Sequence, residues 1–195
     1  MLHDLSTALY NRFGQLGGIE YLDESITRWR QGLNLCPIGD PDRSMYLNNL
    51  ATAMSIRVKH LGRMEDLEEA ITCYRQALSL FPHGHPNRSS SLDNLANAVF
   101  TRFEQLGKME DLEEAIICHR QALDLFPHGH PNRSSSLNYL ANAVSNRFKH
   151  LGKMEDLEEA ITCNRQALAL RPHGHPDRSF CLIDLANAMT LSGQL

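Results

Sequence analysis

Apolar residues recur along this chain at the spacing of an α-helix, in two kinds of segment that alternate. In the first kind, which we call helix A, they fall at steps of three and four, and one copy has them at Leu92, Leu95, Ala96, Val99, Phe103 and Leu106. The second kind, helix B, follows a glycine, and its copy has Leu112, Ala115, Ile116, His119, Ala122, Leu123 and Phe126. Strand-like alternation is absent, so the pattern predicts an all-α fold.

The two segments are parts of a 45-residue repeat. The run that begins at Leu61 returns at Leu106 and Leu151, and residues 61–105 match residues 106–150 at 35 of 45 positions. The eight prolines lie in four pairs, and the stretches between the pairs can form uninterrupted helices. We therefore predict nine helices, in repeats 1–42, 43–87, 88–132 and 133–177 and a partial repeat 178–195. Because an isolated helix pair cannot bury its apolar face, we expect one solenoid domain spanning 1–195.

Polar residues at the predicted helix starts are candidate caps. Asp111 with Glu114, a pair that is repeated, is similar to a capping box and indicates that helix B begins there. The candidate N-caps of helix A are Asp42, Asn87, Asn132 and Asp177. Three arginines lie beside the apolar stripe, and we expect them to pair with the acids of helix B rather than to bind phosphate: Arg57, Arg102 and Arg147.

The spacing of small and aromatic residues resembles the tetratricopeptide repeat (TPR), in which a Leu–small pair precedes Ala, an aromatic residue, Ala and Pro. The third repeat carries this pattern as Leu95-Ala96, Ala115, His119, Ala122 and Pro127. The aromatic position is kept by Trp29 and Tyr74, whereas the fourth repeat has Asn164. The first repeat has Ser25 and Gly32 in place of Ala, so we expect its helix B to be the least stable.

Long repeats of this kind, with Leu-Asn-Asn-Leu-Ala at residues 47–51 and His85-Pro86 before helix A, are similar to those of kinesin light chains and of tandem TPR arrays in fungal proteins. The resemblance covers essentially the whole chain. It implies a right-handed α-solenoid of about four helix-turn-helix repeats plus a terminal helix. It also implies a non-enzymatic protein-interaction scaffold with helix A lining its concave surface.

Composition narrows the classes of function. The chain is 42% hydrophobic and 22% charged, which is typical of a folded protein. Its net charge of −4 disfavours nucleic acid as a partner. No apolar run approaches the roughly 18 residues of a membrane span, and the first residues do not resemble a secretory signal, so we expect a cytoplasmic protein without a membrane partner. The five cysteines form no Cys-x-x-Cys pair and are expected to be reduced.

The polar side of helix A is the candidate binding site, because it is rich in asparagine. An Asn amide both donates and accepts, so rows of them can bind the main chain of an extended peptide. The predicted peptide-binding residues are Asn48, Asn49, Thr52, Asp93, Asn94, Asn97, Phe100, Asn138, Tyr139, Asn142, Asp184 and Asn187. Lysine is nearly absent there, which favours an uncharged or mildly basic ligand. Alternatively, these residues are solvated or bridge adjacent repeats.

Other chemistry has less support. A His-Gly-His sequence that begins at His83, His128 and His173 raises a metal hypothesis, but no acid or cysteine completes each set. We therefore expect no metal and no cofactor, and we expect the Gly-His-Pro turn to pack and hydrogen-bond the loop. Three cysteines recur in helix B as small buried residues: Cys73, Cys118 and Cys163. No nucleophile–base set or phosphate-binding glycine loop is found, so no catalytic residue is predicted.

Two functions remain open on the sequence. The first is a scaffold that binds a protein or peptide of unknown identity. The second is a structural module that forms homo-oligomers through exposed solenoid ends, because strong polar end caps are missing. Metal binding by the His loops is a third alternative. Substitutions of the asparagines and substitutions at the ends would separate the first two.

Overall fold

The computed structural model describes residues 2–82, 84–127 and 129–193, and within these ranges the protein has nine α-helices and no strand. The helices are α1 (Leu2–Leu16), α2 (Ile19–Leu35), α3 (Arg43–Leu61), α4 (Met64–Leu80), α5 (Arg88–Leu106), α6 (Met109–Leu125), α7 (Arg133–Leu151), α8 (Met154–Ala169) and α9 (Arg178–Gly193). Odd-numbered helices are copies of helix A and even-numbered helices are copies of helix B. The prediction of an all-α repeat fold is confirmed. None of these helices combines the length and the apolar character needed to cross a bilayer.

A glycine in the left-handed region ends helix A. Gly62 and Gly152 both have φ of 67°, a conformation that glycine adopts readily because it has no Cβ to clash with the backbone. The Gly62 backbone N–H donates to the carbonyl oxygen of Val58 at 2.7 Å. The chain can then turn at once, and the next helix B begins two residues later.

Helix B begins two residues before the predicted capping box, and the box is not formed. In α4, α6 and α8 the N-cap residue makes no side-chain hydrogen bond. The acid expected to cap α6, Asp111, is buried and accepts two bonds from Arg102, Nε to Oδ2 at 2.9 Å and Nη2 to Oδ1 at 2.6 Å. The capping prediction is therefore wrong. The Arg102 guanidinium donates to both carboxylate oxygens of Asp111, whereas a backbone N–H would donate to only one.

The same pairing recurs in the neighbouring repeats. Arg57 binds Asp66 at 2.8 and 2.6 Å, and Arg147 binds Asp156 at 3.0 and 2.6 Å. Each pair joins helix A to the helix B that follows it. The predicted pairing of these arginines with acids of helix B is confirmed.

Helix A begins where the sequence predicts, but its cap differs. The side chains of Asp42 and Asn132 make no cap hydrogen bond, so the predicted side-chain caps are not formed there. The first residue of each helix A after the first is an arginine that donates through Nη1 to carbonyl oxygens at the end of the preceding helix B. For Arg88 these are the carbonyls of Leu78 (2.7 Å) and Phe81 (3.3 Å). The guanidinium thus binds the unpaired, partly negative end of helix B.

The apolar stripe of helix A is buried up to its last member. Leu95, Ala96 and Val99 are at most 3% exposed. Leu106, however, is 48% exposed, and its counterparts at the ends of α3 and α7 are similar. Including Leu106 in the core stripe is wrong, because helix A ends at that residue.

The chain divides into two compact units, residues 1–98 and 99–195, with the boundary inside α5. In the first unit α1 packs on α2, α2 on α3 and α3 on α4. In the second unit α6 packs on α7, α7 on α8 and α8 on α9, and α7 also contacts α9. Packing between successive helices is typical of a repeat solenoid. That residues 1–195 form one domain stays a prediction.

The first repeat differs from the others at a packing position of helix B. Gly32 of α2 is buried where the other repeats have Ala. A Cβ at this position would lie 2.4 Å from Cε1 of Tyr46 in α3. The Tyr46 ring therefore explains why the first repeat has glycine and not alanine at this position.

Candidate peptide-binding site

The predicted binding residues lie on copies of helix A in both units, and they are more open in the second unit. In the first unit the half-buried residues are Asn48, Asn49, Thr52, Asn94 and Asn97, and Asp93 is buried. In the second unit Phe100 and Asn138 are half-buried, and the exposed residues are Tyr139, Asn142, Asp184 and Asn187. More of the predicted residues are thus accessible in the second unit.

One row of these residues bridges successive copies of helix A. The Oδ1 atom of Asn48 accepts a hydrogen bond from the Ser91 hydroxyl at 2.7 Å. In the second unit Asn138 accepts from the Cys181 thiol at 3.1 Å and donates from Nδ2 to Asp184 at 3.2 Å. Asn48 and Asn138 therefore have the bridging role that was the alternative interpretation of the asparagines.

Helix B supports this face through its aromatic position. Tyr74 is buried, and its hydroxyl donates to Thr52 Oγ1 at 3.1 Å. Burial raises the pKa of Tyr74 to about 12, so the hydroxyl stays protonated and remains a donor at neutral pH. In the second unit the His119 ring stacks on Tyr139, with the ring centroids 5.9 Å apart. A ring of helix B thus contacts a predicted binding residue in each unit.

Several buried polar atoms have no hydrogen-bond partner within the described part of the chain. Two of them, His3 Nδ1 and Thr7 Oγ1, lie on α1 in the same two rows as Asn48 and Thr52. Two others, Trp29 Nε1 and Asn164 Oδ1, occupy the aromatic position of helix B, which packs beneath these rows. Buried polar groups are normally paired with protein atoms or ordered water, so these atoms leave unused hydrogen-bonding capacity on this face.

A cavity of about 370 Å³ lies on this face in the second unit. Its lining includes four predicted binding residues, Asn138, Tyr139, Asn142 and Asp184. The ring of Phe180, 63% exposed, also lines it. The cavity therefore combines amides, the carboxylates of Asp177 and Asp184, and two open aromatic surfaces.

Arg171, which is not among the predicted binding residues, lines the same cavity. It replaces the Phe that ends helix B in the two preceding repeats. The residue is 4% exposed, and its guanidinium donates to Ser134 and Ser135 hydroxyls and to the Asp177 carbonyl. Partial desolvation raises the pKa of the Asp184 carboxyl group, and the nearby Arg171 charge opposes that rise. The Phe-to-Arg change before Pro172 was the visible signal in the sequence.

The cysteines and histidines of the repeats have structural roles in the described residues. Cys73, Cys118 and Cys163 are buried as predicted, and burial raises the pKa of Cys73 and of Cys163 to about 11. The second histidine of each His-Gly-His sequence accepts a hydrogen bond through Nδ1 from the backbone N–H two residues later; these are His85, His130 and His175.

The rings of the first two of these histidines stack on Phe81 and Phe126, with the ring centroids 4.5 Å apart. The loop-packing role is confirmed for these residues. His83 and His128 lie outside the described residues. Within the described part of the chain no group of three potential metal ligands is found.

Family models of the tetratricopeptide repeat match residues 61–83, 88–132 and 133–177, which together are more than half of the chain. The chain belongs to this family, as its sequence predicts. Repeats of this family generally mediate protein–protein interactions. No curated protein matches the chain at significant similarity.

Solved structures agree on the fold. A Podosopora anserina protein with kinesin light chain-type, nearly identical TPR-like repeats superposes with a TM-score of 0.70 at 22% identity, covering 99% of this chain and 87% of that chain. A variant of the same protein gives 0.71 at 21% identity over the same shares. BtubC (BKLC) from P. vanneervenii gives 0.56 at 19% identity, covering 98% of this chain and 72% of that chain. The predicted similarity to kinesin light chain repeats is confirmed, and the fold is an all-α repeat solenoid.

Proposed function

We propose that this protein is a non-enzymatic scaffold that binds an extended peptide along the polar face of helix A. The observation that carries the proposal is the 370 Å³ cavity of the second unit, which four of the predicted binding residues line. The unpartnered polar atoms on the corresponding face of the first unit support it independently.

The cavity suits a peptide because it offers two kinds of contact. Asn142 accepts from Asn146 through its Oδ1 and keeps its NH2 group to donate to a peptide carbonyl. The exposed rings of Tyr139 and Phe180 offer apolar surface to alternate side chains of an extended chain. Asn138, which already bonds two neighbours, positions the helices and contributes less to binding.

The charges of the cavity favour an uncharged or mildly basic ligand. Asp177 and Asp184 line it together with Arg171, so the lining carries one more negative than positive charge. An acidic peptide would meet this excess of carboxylates. The expected partner is a protein segment without a cluster of acidic residues.

The proposal can be tested by selecting binders from a random 12-residue peptide library displayed on phage. A selected peptide is then titrated against the wild type, against Asn142→Ala/Asn187→Ala, and against Gln166→Ala. Gln166 is an exposed amide of α8 in the same unit but on helix B, so its variant is the matched control.

We expect the double variant to bind roughly tenfold more weakly, since each lost hydrogen bond is worth about 0.5–1.5 kcal/mol. The control should bind like the wild type. If no peptide is selected, or if the double variant and the control behave alike, the polar face of helix A is not a peptide-binding site.

Self-association is the second candidate function, because α9 exposes several large apolar side chains. Phe180, Leu182, Ile183 and Met189 are 63%, 48%, 56% and 48% exposed. Exposed apolar clusters mark interaction sites in many proteins. Light scattering across a hundredfold dilution tests this candidate: a mass that falls with dilution, and that Leu182→Lys reduces to the monomer, supports self-association. A constant monomer mass contradicts it.

A further inference from the structure

The aromatic position of helix B is filled by a ring in three repeats but not in the fourth. Trp29, Tyr74 and His119 are each at most 2% exposed at this position. Asn164 is equally buried at 2% but has no ring. The space that a ring occupies elsewhere is therefore available beside Asn164.

A cavity of about 80 Å³ lies next to Asn164 in the second unit. It is large enough for a small polar group, since one water molecule needs only about 10–15 Å³ of such space. The Oδ1 atom of Asn164 is buried and has no hydrogen-bond partner in the described residues. Leaving a buried acceptor unpaired is costly, so a donor is expected to occupy the cavity.

The remaining lining identifies the chemistry of that donor. Lys149 and Asp184 bring one charge of each sign, so neither a cation nor an anion is favoured. The amides of Asn142 and Asn187 line the same cavity and supply both donors and acceptors. A neutral group that donates and accepts at once fits this lining.

We propose that the cavity beside Asn164 is a subsite for a primary carboxamide, the side chain of a glutamine or asparagine in the bound peptide. The inference rests on the proposed function and specifies its ligand. The carboxamide NH2 donates to Asn164 Oδ1, and its oxygen accepts from the neighbouring amides. The cavity adjoins the 370 Å³ cavity, because Asn142 and Asp184 line both, so one extended peptide can reach the two.

The direct test uses small probes and side-chain amide NMR. The probe is Nα-acetyl-glutamine methylamide, and its matched controls are the glutamate analogue, whose side chain lacks the NH2 donor, and the methionine analogue, whose side chain lacks any strong polar group. Addition of the glutamine probe to 15N-labelled protein is expected to shift the Asn164 side-chain amide signals. The two control probes should bind at least tenfold more weakly, because a site built to hydrogen-bond a group rejects analogues without it.

Two substitutions are expected to fill the cavity with a ring. Asn164→Tyr and Asn164→His introduce the residues found at the equivalent positions 74 and 119. Both variants should keep their helical circular dichroism and lose the response to the glutamine probe, whereas Gln166→Ala should keep it. Equal shifts with all three probes, or a response that survives closure in a folded variant, would overturn the subsite.

Peptide binding separates this inference from the proposed function. Selected peptides should share a Gln or Asn whose change to Glu weakens binding to the wild type but not to Asn164→Tyr. If peptides bind both proteins equally and still depend on Asn142 and Asn187, the subsite is wrong and the peptide-binding function stands. If the probe responds as expected but no peptide is selected, the carboxamide subsite stands and the peptide-binding function is wrong.

Discussion

The buried ion pair between Arg57 and Asp66 should stabilise the first unit far more than the neighbouring ion pair of Arg57 with Asp23. Arg57 and Asp66 are 7% and 6% exposed and are joined by two hydrogen bonds of 2.8 and 2.6 Å. Arg57 also binds Asp23 at 2.7 Å, but the Asp23 side chain is 48% exposed. The two carboxylates on one guanidinium therefore differ in burial and in the number of hydrogen bonds they accept, and Asp66→Asn and Asp23→Asn form a matched pair of variants.

The losses of stability expected for Asp66→Asn and Asp23→Asn differ severalfold. Removing one partner of a buried pair costs about 3–5 kcal/mol, and we expect the lower end for Asp66→Asn because Asp23 still pairs with Arg57. An exposed pair contributes about 0.2–1 kcal/mol, which is the loss expected for Asp23→Asn. Replacing both buried partners by apolar residues, as in Arg57→Met/Asp66→Leu, should cost much less than Asp66→Asn, since no unpaired charge remains buried.

Urea unfolding measures these losses with two probes. Circular dichroism follows all helices, whereas fluorescence of the single tryptophan, Trp29 in α2, follows the unit that contains the ion pair. Fluorescence should report the full loss for Asp66→Asn. Equal losses for Asp66→Asn and Asp23→Asn, or a loss below about 0.5 kcal/mol for Asp66→Asn, would refute the argument from burial.

Three further predictions concern packing and titration. Gly32→Ala should destabilise the fold despite the gain in helix propensity, because the new Cβ would lie 2.4 Å from the Tyr46 ring. Gly14→Ala in α1, where a Cβ meets no atom of the described residues within 4 Å, should stabilise the fold by about 0.5–1 kcal/mol. The thermal unfolding midpoints of the two variants test both expectations. Leu95→Asp, which charges a side chain only 3% exposed, should greatly reduce helical circular dichroism, and Leu106→Asp should leave it nearly unchanged. Cys163 should be alkylated by iodoacetamide half-maximally near pH 11, because burial raises its pKa from 9.0 to about 11 and only the thiolate reacts. Peptide mass mapping at each pH measures the extent of alkylation, and a midpoint near pH 9 would contradict this prediction.

Periodic features of the fold were predictable from the sequence, whereas bonds that join different helices were not. The stripe around Leu95 repeats every three or four residues, so its burial follows from helix geometry alone. The role of Asp111 depends on a competition between its own helix start and Arg102, which lies nine residues earlier on another helix. A capping rule based on neighbouring residues in the sequence includes the capping role of Asp111 but not its pairing with Arg102. The Arg88 bonds to the end of α4 were missed for the same reason, since their acceptors become neighbours only once the two helices pack.

The candidate site was predictable as a face but not as a cavity. The polar rows of helix A were visible as asparagines at 45-residue steps, but the loss of a ring at Asn164 shows its consequence only when the surrounding helices are in place. The second, third and fourth repeats share their Arg–Asp pairs and loop histidines, and these repeated residues have packing roles. Asn164, Arg171 and Tyr139 depart from the preceding repeats, and each lines one of the two adjoining cavities of the second unit. Because these departures leave the helix pairs intact but change the surface open to a ligand, we expect the second unit to determine which peptide binds.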